Sequence, residues 1–272
     1  RKSQPHVFFP KSKGQVTAMK KKTYPLLEYD AAQEAVFSPA DFDIPQVVPE
    51  KCVVAFSYDE VEIVAKRLGG VKVDSMDTCT AKLPLYIIDA DGEKMGLVCG
   101  FLGSAGAAAQ LDGLIHQGAR KFVVCGAAGS LSEAPLGAIV LPDRAVRDEG
   151  ASFHYLPPSR EVEADADMLQ AIARFLEGAG VAYTVGKTWT TDGLYRETAE
   201  KVALRRSEGC AVVEMEAAAL MAVARFRGAK LGYLLYCGDD MSGEQYDHRG
   251  FFDDEALRVR VVELAIECCR RL

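Results

Sequence analysis

Two carboxylates separated by one residue occupy the most informative position in the chain. Glu214 and Glu216 flank Met215, where a valine-rich apolar run meets an alanine-rich run. Carboxylate oxygens accept hydrogen bonds in pairs, which suits vicinal hydroxyls such as those at the 2′ and 3′ positions of a ribose. Acids are also favoured in the first turn of a helix because they complement its dipole. The residue types alone leave both interpretations open.

The segments around this pair alternate between strand and helix patterns. Short apolar runs predict strands at 52–56, 84–88, 96–100, 121–125, 137–141, 181–189, 211–215 and 231–237. Amphipathic or small-residue runs predict helices at 59–68, 103–117, about 165–178, about 197–206, 216–227 and 254–271. We therefore expect a three-layer α/β/α sandwich with a mixed central sheet. In such sheets ligands bind at the carboxyl ends of the strands, where Glu214 lies.

Composition excludes several classes of protein. The chain has 272 residues, a net charge of −7 and no run of 18 apolar residues, which argues against nucleic-acid, membrane-surface and membrane-spanning functions. Eight cysteines without a CxxC pair, several of them in strand-like runs, predict reduced thiols and a cytoplasmic protein. The four histidines show no zinc pattern, so we expect no metal. We expect a mobile basic tail over residues 1–22 and a single catalytic domain over 23–272.

Five motifs in one order resemble the nucleoside phosphorylase/uridine phosphorylase superfamily, which includes purine nucleoside phosphorylases and methylthioadenosine/adenosylhomocysteine nucleosidases. Similarity extends over about residues 50–270. The motifs are VVEMEAAAL at 212–220, VVCGAAGSL at 123–131, DEGASFHY at 148–155, TTDGLY at 190–195 and CGDD at 237–240. The resemblance implies the fold of these enzymes, with a homodimer or a hexamer as the assembly.

The resemblance also implies roles for individual residues. Val213, Glu214, Met215 and Glu216 would hold the ribose, with Glu216 binding its hydroxyls in a bidentate contact and Met215 packing on the sugar. Leu194 and Tyr195 would pack against the base. Asp239 would protonate the departing base, which is worth about 10²–10⁴-fold in rate. Asp240 is the alternative if the register differs by one residue.

The resemblance places a phosphate site on a glycine-rich turn made of Gly126, Ala127, Ala128 and Gly129. Several family features are replaced here. The loop after the first strand reads FSYDEV at 56–61 without Gly, Pro or Arg, and Val124 stands where the family carries an arginine. Backbone N–H groups of the turn remain available to an anion. A cation from Lys82, Arg144 or Arg147, of this chain or of a neighbouring subunit, would restore a phosphate site.

The same loop supports a second hypothesis. The acids in Tyr58-Asp59-Glu60-Val61 resemble those of the nucleosidase branch, in which the last acid activates water, here Glu60. An acid in the first turn of a helix is the simpler interpretation of Glu60. Base preference is also open, since Thr198 and Glu200 stand where uridine phosphorylases carry Gln and Arg.

We therefore predict a pentosyltransferase, a nucleoside phosphorylase that converts a ribonucleoside and phosphate to free base and ribose 1-phosphate. The alternatives are a nucleosidase and a nucleoside-binding homologue without activity. The glycines after residue 99 follow a GxxGxxG spacing rather than that of a dinucleotide site, so we expect no cofactor. The resemblance implies inorganic phosphate as the co-substrate.

Overall fold

A computed structural model describes residues 19–41, 48–73, 78, 81–243 and 245–272. Within these residues the apolar runs form ten strands of one sheet. The strands are β1 Lys51–Ala55, β2 Val71–Val73, β3 Leu85–Ala90, β4 Glu93–Cys99, β5 Lys121–Ser130, β6 Ile139–Asp148, β7 Glu161–Glu163, β8 Tyr183–Thr191, β9 Cys210–Glu214 and β10 Lys230–Asp240.

Seven α-helices lie between or after these strands in the described part of the chain. They are α1 Tyr58–Arg67, α2 Ser104–His116, α3 Ser152–Tyr155, α4 Ala166–Gly178, α5 Ala199–Ser207, α6 Ala217–Arg227 and α7 Glu255–Arg270. Polar side chains start three of them, because Asp165, Thr198 and Asp254 accept hydrogen bonds from first-turn N–H groups of α4, α5 and α7. Among these described helices, none is long and apolar enough to cross a membrane.

The sheet is mixed, which confirms the predicted fold class. Its strand order is β10-β6-β8-β9-β5-β1-β4-β3-β2, and β7 pairs with β6. Strand β1 lies parallel to both β4 and β5, whereas β6 is antiparallel to β10 and β9 is antiparallel to β5. Because β5 pairs with β10 along most of its length and with β9 at its end, strands β5, β10, β6, β8 and β9 close into a ring.

Helices cover both faces of the sheet and complete the three layers. One core cluster includes Leu111 of α2 and Leu220 of α6, and the other includes Val64 of α1, Ile172 of α4 and Val262 of α7. Adjacent strand residues point into opposite clusters, as with Val53 and Val54 of β1 and with Val123 and Val124 of β5. A strand buried on both faces must be apolar at every position, which is why these runs do not alternate.

The glycine-rich segment differs from its prediction. Residues 126–129 do not form a turn but continue β5, and β6 likewise extends to Asp148 rather than ending at Leu141. Pairing with β10 and β9 holds the segment extended despite its low strand propensity. The small side chains permit close contacts, since a Cβ on Gly129 would lie 2.9 Å from Val213 Cγ1.

The hairpin predicted at residues 84–100 is confirmed. Strands β3 and β4 pair antiparallel, and Asp91 and Gly92 form their turn with positive φ angles of 53° and 87°.

The seven described cysteines are buried free thiols. Most of the predicted basic tail, residues 1–18, lies outside the described residues, and the single catalytic domain remains a prediction.

Candidate active site

A cleft of about 640 Å³ opens at the carboxyl ends of β1, β5, β9 and β10. It brings together all but one of the site residues predicted from the sequence, along with several residues that were not predicted. The lining residues are Phe56, Leu102, Gly126, Ala127, Ala128, Gly129, Leu194, Tyr195, Glu197, Val213, Glu214, Met215, Glu216, Tyr233, Leu235, Asp239, Met241, Tyr246, Phe251 and Phe252. The exception is Glu60.

Glu214 organises the junction between β9 and α6. Its Oε1 accepts hydrogen bonds from the hydroxyls of Thr188 at 3.1 Å and Thr190 at 2.6 Å. Its Oε2 accepts from the backbone N–H groups of Glu216 at 2.7 Å and Ala217 at 2.6 Å. Four donors fill the four acceptor positions of a carboxylate. Glu214 therefore satisfies N–H groups at the start of α6 and positions the next two residues.

Glu216 presents a carboxylate with one oxygen still available. Its Oε1 accepts the backbone N–H of Gly103 at 2.6 Å, and Ser104 Oγ donates to the Met215 carbonyl at 2.6 Å. The loop before α2 is thereby fastened to residues 215–216. Oε2 has no hydrogen bond of good geometry from the described residues, although the nearby Met215 backbone N–H acts to lower the pKa of the carboxyl. Burial, and then the charge of Glu214, raises the pKa of Glu216 to about 8. A ligand hydroxyl is a suitable partner for the free oxygen.

Asp239 lines the same cleft near the end of β10, where its charge acts on Glu197. Burial raises the pKa of its carboxyl above the ordinary value, although a hydrogen bond with Tyr246 lowers it in part. A raised pKa keeps a carboxylic acid protonated nearer to neutral pH, as a general acid requires. Asp240 is instead paired with Arg249 and accepts the Ser242 N–H at 2.7 Å. The cleft is therefore lined by Asp239 and not by Asp240.

A second carboxyl beside Asp239 was missed by sequence reasoning. Glu197 lines the cleft next to Leu194 and Tyr195, and burial followed by the charge of Asp239 raises its pKa to about 7. No hydrogen bond or ion pair to Glu197 is formed within the described part of the chain. The sequence signal that could have identified Glu197 is its position two residues after TTDGLY, the motif at 190–195 that the resemblance assigns to the base. Tyr246, Phe251 and Phe252 were missed because nothing in their spacing indicates that the chain after β10 returns to the cleft.

The predicted phosphate region lacks positive charge. Among the described lining residues there is no Lys, Arg or His, whereas Glu197, Glu214, Glu216 and Asp239 are all acidic. The Phe56 ring lies against two glycines beside this region, since a Cβ on Gly100 would be 2.6 Å from Phe56 Cε1. Residues 126–129 pair within the sheet, so they do not form a turn that presents consecutive N–H groups to an anion.

None of the three cations considered from the sequence lines the cleft. Arg147 is 6% exposed, and it donates to Ser152 Oγ at 2.8 Å and to Ser159 Oγ at 2.7 Å. Arg144 lies 3.8 Å from Glu161. Lys82 is likewise absent from the lining. Arg147 therefore stabilises the loop after β6 rather than binding a ligand in the cleft.

Glu60 lies in a separate ion-paired cluster between α1 and α7. Its Oε1 accepts from Arg258 Nε at 2.5 Å, and its Oε2 accepts from the Ser57 hydroxyl. Burial acts to raise the pKa of Glu60, yet these hydrogen bonds outweigh it and lower the pKa below its usual value. Arg258 also donates to the carbonyls of Phe251 and Phe252. In this geometry Glu60 fastens α1 to the segment that carries two aromatic residues of the cleft.

The fold and the cleft define a mixed α/β protein with a buried acidic site at the carboxyl edge of its sheet. Residues 51–272 match the Phosphorylase superfamily, and the chain belongs to that family. A guanosine phosphorylase of Halorubrum lacusprofundi is 28% identical over 169 residues, which cover 61% of this chain and 69% of the relative. A purine nucleoside phosphorylase of Plasmodium vivax is 28% identical over 191 residues, covering 66% and 76%.

Solved structures show the same fold. Uridine phosphorylase of Vibrio fischeri superposes with a TM-score of 0.71 at 20% identity, covering 84% of this chain and 94% of that one. Purine nucleoside phosphorylase of Toxoplasma gondii, in complex with immucillin-H, superposes with a TM-score of 0.68 at 18% identity, covering 82% and 93%. The predicted membership of the superfamily is confirmed.

Proposed function

We propose that this chain cleaves the N-glycosidic bond of a ribonucleoside and transfers the ribosyl group to inorganic phosphate. The observation that carries the proposal is that Glu216 and Asp239 line one cleft, the first beside Met215 and the second beside the predicted base-side residues. A site with a hydroxyl acceptor and a general acid suits an N-riboside. The relatives named above as phosphorylases support phosphate as the second substrate.

In this reaction the bond between C1′ and the base nitrogen breaks while a phosphate oxygen bonds to C1′. Asp239 delivers its proton to a ring nitrogen of the base, which leaves as the neutral molecule. The raised pKa of Asp239 supports this role. Glu216 holds the ribose hydroxyls. The positive charge that develops on the oxocarbenium-like sugar favours the ionised form of Glu216, whose carboxylate then stabilises the transition state.

Hydrolysis is the second candidate, and one observation favours it. Four carboxyls and no cation line the cleft in the described part of the chain, and carboxylates at close range repel phosphate. Water carries no charge and needs no cationic site. A homodimer or hexamer in which a neighbouring copy supplies a cation would restore phosphorolysis.

A nucleoside screen with and without phosphate tests both candidates. Purine and pyrimidine ribonucleosides are incubated with the protein in phosphate-free buffer and again with added phosphate, and free base and ribose 1-phosphate are measured. Phosphorolysis predicts base release only with phosphate, with ribose 1-phosphate in equal amount. Full rates without phosphate would establish hydrolysis instead. Binding without base release under either condition would indicate a nucleoside-binding protein, and both catalytic candidates would then be rejected.

A further inference from the structure

The cleft contains a buried hydroxyl without a partner. Tyr233 is 4% exposed, and its Oη forms no hydrogen bond with any described residue although it is shielded from solvent. Buried hydroxyls are normally paired, and leaving one unpaired destabilises the folded protein. Phenylalanine would fill the same space without that loss. The hydroxyl therefore points to a partner that arrives with a ligand.

The position of Tyr233 indicates which part of the cleft its hydroxyl lies in. It lies on β10 opposite Val124 of β5, and it belongs to the core cluster of α2 and α6. Burial, followed by the charges of Glu214 and Glu216, raises its pKa well above the ordinary value. The phenol is therefore a neutral donor at physiological pH and lies near the two carboxylates. It belongs to the ribose end of the cleft.

Nearby protein acceptors do not satisfy this donor. Both oxygens of Glu214 are filled by four donors, and Glu216 Oε1 accepts the Gly103 N–H. Glu216 Oε2 and Tyr233 Oη thus leave an acceptor and a donor unused at the same end of the cleft. A single ligand hydroxyl completes both, because it donates to a carboxylate and accepts from a phenol. An N–H group would satisfy only the carboxylate.

We propose that Tyr233 contacts the substrate, donating a hydrogen bond to a ribose hydroxyl that in turn donates to Glu216, and that this contact selects ribonucleosides over their deoxy analogues. The proposal rests on the proposed function, since it assumes that a nucleoside occupies the cleft. A site that hydrogen-bonds a hydroxyl rejects analogues that lack it, because its buried polar groups are then left unpaired.

Tyr236 provides a matched control on the same strand. It is also 4% exposed, but it belongs to the core cluster of α1, α4 and α7 and does not line the cleft. Tyr236→Phe and Tyr233→Phe each remove one buried hydroxyl from β10. Only Tyr233→Phe removes it from the cleft.

The test compares both variants with the unmodified protein on a ribonucleoside and its 2′-deoxy and 3′-deoxy analogues. We measure kcat/KM, dissociation constants by calorimetry, and Tm. Tyr233→Phe is expected to lower kcat/KM for the ribonucleoside by about 10- to 100-fold, and to change it less than about threefold for the analogue that lacks the partner hydroxyl. Its Tm stays equal or rises, and Tyr236→Phe keeps the selectivity of the unmodified protein.

Two results would overturn the proposal. The first is a ribonucleoside kcat/KM in Tyr233→Phe within about twofold of the unmodified protein, and the second is an equal loss for the ribonucleoside and both deoxy analogues. In either case the proposed function survives, because the unmodified protein still turns nucleosides over. If the unmodified protein neither binds nor cleaves any nucleoside, the proposed function fails and the role of Tyr233 falls with it.

Discussion

The part of the cleft that we propose for the ribose and the part that we propose for the base are built differently. At the ribose end, Glu214 and Glu216 are 8% and 6% exposed and lie on a strand–helix junction fixed by backbone hydrogen bonds. At the base end, Tyr195 is 93% exposed on a three-residue 3₁₀ helix, Leu194–Arg196, and Phe252 is 68% exposed in the connection between β10 and α7. Loops tolerate substitution better than buried junctions do. The difference supports the proposal that the acids proposed for the ribose are fixed by the fold, whereas the residues proposed for the base can change more easily.

Electrostatically the two ends are alike. Each holds a pair of carboxyl groups that interact, with Glu214 and Glu216 at one end and Glu197 and Asp239 at the other. Burial raises the pKa of all four. The ends therefore differ in rigidity and in solvent access rather than in charge.

The largest expected effect comes from Asp239 at the base end. We expect Asp239→Asn to lower kcat for a nucleoside by about 10²–10⁴-fold, because the amide does not protonate the leaving base. A nitrophenyl riboside, whose leaving group needs no proton, should lose far less activity. The neighbouring variant Asp240→Asn is the control, since Asp240 lies outside the cleft. Equal losses on the two substrates would show that Asp239 is not the acid.

At the ribose end, we expect substitution of Glu214 to lower mainly the stability of the folded protein. Glu214→Gln replaces two acceptor oxygens by one and sets an NH₂ group against backbone or hydroxyl donors. The variant should lose at least about 2 kcal/mol of unfolding free energy. For a chain of this size that corresponds to a fall in Tm of about 4–8 °C. Thermal unfolding of Glu214→Gln and of Glu197→Gln compares the effect of the two substitutions on Tm. Equal Tm values would contradict the proposal that the ribose end is the more rigid of the two.

A smaller effect is expected for Glu197 at the base end. Its carboxyl lies beside the predicted base position without a protein partner, so Glu197→Gln should change the relative kcat/KM for different bases by about 3- to 10-fold. The ribose preference and Tm should not change. Glu255→Gln, which changes an exposed acid on α7 that does not line the cleft, is the matched control. A shift in ribose preference without a shift in base preference would contradict the division of the cleft.

The smallest effect concerns pH. The pKa of Glu216 is raised from 4.5 to about 8, so the folded protein holds a proton there that the unfolded chain releases above about pH 4.5. This contribution to stability is present at low pH and is lost as pH rises to about 8. The Tm of the ligand-free protein should therefore fall between pH 6 and pH 8.5, by about 2–4 °C for each kcal/mol lost. The fall should be shallower in Glu216→Gln, and an identical slope would refute the assignment.

Local patterns predicted the strand–helix order, because a period of two or of 3.6 residues is set by which side chains are buried. The same patterns identified Glu214, Met215 and Glu216, since a valine-rich strand followed directly by an alanine-rich helix marks a sheet edge. The turn that the family resemblance implied at residues 126–129 is wrong, since these residues continue strand β5. Strand pairing with β10 and β9 overrides their low strand propensity.

By itself the sequence determined the mixed α/β fold and the family, and it identified Glu214 and Glu216 as candidate site acids. Each of these inferences rests on short motifs whose residues are close together in the chain. Only the tertiary structure decided that Thr188 and Thr190 fill Oε1 of Glu214, that Glu60 pairs with Arg258, and that Tyr233 has a hydroxyl without a partner among the described residues. These facts depend on contacts between distant segments, such as the 198 residues that separate Glu60 from Arg258. Whether a buried polar group finds a hydrogen-bond partner depends on how whole helices and strands pack. The spacing of residues along the chain does not show that packing.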